Sequence, residues 1–111
     1  MIKLNSDDQM PSIMPSLYDE KDISRDALDS FIADTGRKKK QPLVLFGSNW
    51  CPDAQCLDAI LGLPTFKVFL NQNFVIMRID VGRYTRNMSL MAALGLPSQE
   101  GIPRVIILDL N

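Results

Sequence analysis

The sequence has no histidine and only two cysteines, Cys51 and Cys56. The missing imidazole excludes Cys-His nucleophilic catalysis and histidine metal sites, and two thiols are too few for a structural zinc site. No metal site is expected. No apolar run approaches the roughly 20 residues that a membrane helix needs, and Met1-Ile2-Lys3-Leu4-Asn5 lacks the apolar core of a secretory leader. The expectation is a soluble chain with no membrane partner, cytoplasmic by default and periplasmic if a leader has been removed. An excess of either charge is also absent. With 12 basic against 13 acidic side chains, the net charge is -1, which offers no general field for nucleic acid. The one basic run, Arg37-Lys38-Lys39-Lys40, is read as solvating the end of a helix, where cations suit the dipole. Glycines are few, and Gly47, Gly62, Gly82 and Gly95 do not form a phosphate-binding loop, so no nucleotide cofactor is expected.

What is present suits one compact α/β domain: 111 residues with 46% hydrophobic content, enough for a modest core. Residues 1–21 read as an N-terminal arm without periodicity, whose Met10, Ile13 and Met14 could still pack on the domain, and residues 22–111 read as the domain itself. From a cap at Asp22 or Ser24, apolar Ala27, Leu28, Phe31 and Ile32 recur at helical spacing as far as Gly36. Pro42-Leu43-Val44-Leu45-Phe46 reads as a strand buried on both faces, which implies a parallel sheet. After Cys51-Pro52 a helix carries Ala54, Leu57, Ile60 and Leu61 on one stripe, pauses at Gly62-Leu63 and restarts at Pro64. The second piece is expected to turn Phe66, Phe69 and Leu70 inward. Phe74 to Asp80 reads as a second strand, Met88 to Leu94 as a short helix, and Val105 to Leu108 as a third strand.

The chemistry concentrates at Phe46-Gly47-Ser48-Asn49-Trp50-Cys51-Pro52-Asp53-Ala54, where a buried strand feeds a helix. Free N–H groups and the positive end of the helix dipole converge there and stabilise a thiolate. Asp53 opposes that effect by like-charge repulsion. With no histidine in the chain, Cys51 must be activated by backbone or by a cation.

This pattern, followed by a strand ending in Asp80 and by Gly101-Ile102-Pro103-Arg104 opening a third strand, resembles the thioredoxin superfamily over roughly residues 22–111. Within it the chain is most similar to bacterial thioredoxin-like proteins of the Trp-Cys-x-Asp type, with Leu57-Asp58 after the active turn. The resemblance implies a three-layer α/β/α fold with Cys51 as the catalytic thiol. It makes Pro103 a cis-proline beside that thiol and gives Trp50, Pro52, Ile102 and Pro103 to substrate binding. It also implies that Leu108-Asp109-Leu110-Asn111 begins a hairpin. The fold would then lack its C-terminal strand and helix, through truncation or with a partner on the exposed edge, an edge that also offers a route to oligomers.

Three positions depart from the family. Ala54 stands where a dithiol enzyme keeps its resolving cysteine. Leu45 stands where thioredoxins often bury a carboxylate. Cys56 is no substitute, because residues five apart on a helix have Cα atoms about 8 to 9 Å apart, against about 5 Å for residues three apart. Cys56 is therefore expected to be a small buried apolar residue, the alternative being a distorted first turn that allows a Cys51–Cys56 disulfide. Trp50 reads as a cap on the core or a wall beside the sulfur, Arg104 as a rim arginine and Asp80 as a turn-former.

Two functions remain open. The first is a thiol-disulfide oxidoreductase with one reactive cysteine, acting on a protein disulfide or glutathionylated substrate and needing no cofactor beyond an external thiol such as glutathione. The alternative is a redox-inactive binding module that uses the cis-proline groove. Peroxide reduction has less support, because the nearby sequence offers no cluster to activate both thiolate and peroxide.

Overall fold

The computed structural model of the chain describes residues 18, 19, 21–96 and 101–109. Met10, Ile13, Met14, Leu110 and Asn111 lie outside the described residues. The elements run α1 (Arg25–Arg37), β1 (Gln41–Gly47), α2 (Pro52–Leu61), α3 (Pro64–Asn73), β2 (Phe74–Asp80), α4 (Met88–Ala93) and β3 (Arg104–Ile107). Ser24 starts α1, its Oγ accepting the Ala27 N–H at 3.0 Å, so an otherwise orphaned donor of the first turn is satisfied. Between α2 and α3, Leu63 is extended ahead of Pro64, whose ring disfavours a helical residue before it.

The sheet has the order β2-β1-β3. Leu43 and Leu45 point to one face, with Leu70 of α3 and with Leu57 and Leu61 of α2, while Val44 and Phe46 point to the other, with Leu28 of α1 and Leu90 and Met91 of α4. Strand alternation thus lets one apolar run fill two cores, giving the three-layer α/β/α fold. The sheet is mixed rather than parallel. β1 and β2 run parallel, but β3 is antiparallel to β1, with Phe46 opposite Arg104 and Leu43 opposite Ile107. Arg104, which opens β3, stands opposite Phe46, at the end of β1 that pairs with the last residues of β2. The chain therefore re-enters the sheet at the end where β2 leaves it.

Two side-chain expectations are corrected. Phe69 is 40% exposed, since it sits one residue before buried Leu70 and falls about 100° off the inward line, where its ring lies 6.1 Å from that of Phe74. Cys56 is exposed, not buried. It stands two positions from each of the buried residues Ala54 and Asp58, about 200° around the helix from both.

Candidate active site

The C-terminal ends of β1 and β2 place three loops together. Ser48 to Cys51 form a turn closed by the Cys51 N–H donating to the Ser48 carbonyl at 3.2 Å. Cys51 is then the N-cap of α2, extended in backbone, and its side chain makes no capping bond to the first turn. The sulfur instead donates to the Ile102 carbonyl at 3.7 Å, across the sheet end, and the Ile102–Pro103 peptide bond is cis. Cys51, Ile102 and Pro103 are thus brought together by α2 and the lead-in to β3. Helix α2 is regular from its first bond, the Gln55 N–H donating to the Cys51 carbonyl at 3.1 Å. Both cysteines are free, Cys51 buried and Cys56 on the exposed side.

Trp50 is neither core nor free. It is 38% exposed, its indole N–H donates to the Gly82 carbonyl at 2.6 Å, its ring meets Tyr84 edge-on at 5.9 Å, and the Arg83 guanidinium lies 5.0 Å from its centroid. Beside it a cleft of about 630 Å³ runs between the Ser48–Trp50 turn and the loop after β2. Asp80, fully buried, accepts the Gly82 N–H at 2.7 Å and so shapes that loop. Arg104 folds back onto the Gly101 carbonyl at 3.0 Å. A larger hollow of about 680 Å³ between α2, α3 and β2 does not reach Cys51. No cluster of three or more metal-ligating side chains occurs among the described residues, and no helix among them is long and apolar enough to cross a membrane.

Four further residues shape the site, none of them expected from sequence as a site residue, although Asn49 and Asp58 stand in the stretches that carry the resemblance. Tyr18, placed in the arm, is 4% exposed and packs against Cys51 and Ala54. Asn49 holds its backbone from both sides, accepting the Tyr18 N–H at 2.7 Å and donating to the Tyr18 carbonyl at 2.6 Å. Asp58 is buried on α2 and pairs with Arg78 of β2, whose Nε donates to Oδ1 at 2.8 Å. Asp58 Oδ2 receives no well-formed hydrogen bond among the described residues, and the Tyr18 hydroxyl, which interacts with this carboxylate, is a donor available to it. Arg78 carried a legible signal, a cation inside an apolar strand. Tyr18 carried none.

Burial first, and then the Asp58 carboxylate, hold the Tyr18 phenol well above its ordinary value. A raised folded value means that stability is fully present below about pH 10 and is lost as pH rises further, because the unfolded phenol ionises while the buried one stays neutral. Urea midpoints should therefore fall more steeply above about pH 10 in the native chain than in Tyr18→Phe. Parallel curves would show that the phenol is not held neutral by the fold.

No protein-family model and no curated protein matches this sequence. Among solved structures, the chain is similar to a disulphide isomerase from Xylella fastidiosa Temecula1, with 34% identity and a TM-score of 0.75. The match covers 84% of this chain and 71% of that one. With the α/β/α layers and the placement of Cys51 described above, the identity and coverage show that this chain belongs to the thioredoxin-like family of that disulphide isomerase.

Proposed function

We propose that the protein is a thiol-disulfide oxidoreductase of the Trp-Cys-x-Asp type that works through Cys51 alone. The observation that carries this reading is the buried Ala54, packed with Cys51 one helical turn on, where a resolving thiol would stand. The Cys51 thiolate attacks one sulfur of a protein disulfide or glutathionylated cysteine. The substrate S–S bond breaks, its second sulfur leaves with the electron pair and takes up a proton, and a Cys51 mixed disulfide remains. An external thiolate such as glutathione then attacks that mixed disulfide, forms a new disulfide and releases Cys51 as thiolate. The protein undergoes no net oxidation. Cys51 stands at the N-terminus of α2, and the Ile102 carbonyl with cis-Pro103 offers a backbone edge to an extended substrate.

The decisive variant is Cys51→Ser, assayed for glutathione-dependent release from a glutathionylated peptide. It should lose at least about 10³-fold in rate, because a serine hydroxyl is not ionised near neutral pH and cannot form the mixed disulfide. Cys56→Ser should keep native activity. Retained turnover in Cys51→Ser would show that Cys51 is not the nucleophile, whereas no turnover by the native chain would favour a binding module at the cis-proline groove.

A further inference from the structure

A working thiol must meet a disulfide sulfur in line, yet Cys51 is only 6% exposed. Its cover comes from Ile102 and from Tyr18, which the chain supplies from before α1. Three features hold Tyr18 there. Asn49, in the active-site turn itself, clamps its backbone with two hydrogen bonds, and its own carbonyl accepts from the Gln55 side chain. Gly47 leaves room for the ring: a Cβ at that position would lie 2.6 Å from Tyr18 Cζ and 3.2 Å from Ala54 Cβ. Further along, Asn87 accepts the Ile23 N–H at 2.8 Å and donates to the Lys21 carbonyl at 2.9 Å and the Asp80 carbonyl at 2.7 Å.

Two asparagines from two active-end loops thus pin the lead-in to α1 across the end of the sheet. From this we infer that Tyr18 is the movable part of a strap that covers Cys51 and must swing aside, by release of its Asn49 clamp, before a disulfide can reach the sulfur. The anchor at Asn87 keeps the strap tethered when the Asn49 end opens. The inference deepens the reading of Cys51 as the working thiol and rests on it for its functional meaning. It assigns Tyr18 and Asn49 control of access, with no part in bond making.

The test uses the full chain with Cys56→Ser, so that Cys51 is the sole thiol, and follows its alkylation by iodoacetamide at several pH values by intact mass spectrometry. Tyr18→Ala and Gly47→Ala should each raise the rate about tenfold or more at every pH, because both empty the covering position. Asn49→Ala should raise it by a smaller factor. Tyr18→Phe, which keeps the ring, should stay within about twofold of the native rate. Unchanged reactivity in folded Tyr18→Ala overturns the strap, as does equal acceleration by Tyr18→Phe or a displaced pH midpoint in place of a uniform gain. Should circular dichroism show Tyr18→Ala unfolded, Asn49→Ala decides, since it removes only the side chain that clamps Tyr18. If every variant fails to turn over a glutathionylated peptide while Tyr18→Ala still speeds alkylation, the redox reading falls and the strap stands.

Discussion

Ala54→Cys should give a chain that resolves its own Cys51 mixed disulfide, where the proposed single-thiol route calls for an external thiol. Residues three apart at the start of a helix have Cα atoms about 5 Å apart, inside the range a disulfide spans without backbone movement. Ala54 is fully buried and packs with Cys51, so a thiol added there is already beside the sulfur it must attack. Proximity replaces a bimolecular encounter with glutathione, and the release of substrate from the Cys51 mixed disulfide should accelerate by at least about 100-fold in single turnover without added thiol. Mild oxidation should also remove two hydrogens from the variant, seen in intact mass, and should leave the native chain unchanged, because Cys56 faces away. The extra sulfur must fit against Tyr18, so some loss of stability is expected beside the gain in chemistry. Fast release by the native chain without added thiol would refute the single-thiol route, and an Ala54→Cys chain that neither oxidises nor releases faster would show that position 54 is not where resolution happens.

The layered fold was legible because its signals are local. The apolar β1 run, the Ser24 cap, the Gly62-Leu63-Pro64 break and the strand-to-helix placement of Cys51 each follow from neighbours in sequence. The direction of β3 was not, since the alternation of a four-residue strand reads the same whichever way the strand runs. The same holds within the site. Cys51, Ile102 and Pro103 stand out in the sequence by their motifs, whereas Tyr18 lies 31 residues from Asn49 and looks like one more polar aromatic in an aperiodic segment. Gly47 reads as a strand-ending residue until the ring that fills its missing side chain is known. Cys56 shows the limit of pattern reading in another way. Counted against the apolar stripe it could pass for core, but a buried aspartate shares that stripe, and its ion pair sets which side of α2 faces the sheet.

That ion pair carries the largest expected effect on stability. The Asp58 side chain is 4% exposed and that of Arg78 35%, so the guanidinium reaches water while the carboxylate does not. Removing either partner is therefore unequal. Arg78→Met leaves a buried carboxylate with no cation and should cost about 3 kcal/mol, read as a lowered urea midpoint at unchanged slope. Asp58→Leu leaves an arginine that can turn to solvent, and should cost about 1 kcal/mol. The double variant should recover to within about 1 kcal/mol of the native chain, because two apolar side chains fill the space without desolvating a charge. The coupling also has a reading at Cys51. Asp58→Leu should leave Cys51 alkylation within about twofold of the native rate while the helix stays folded, as Tyr18→Phe does, because the Asn49 clamp and the space at Gly47 hold the ring in both. Additive losses in the double variant would show an ordinary surface bridge of at most about 1 kcal/mol.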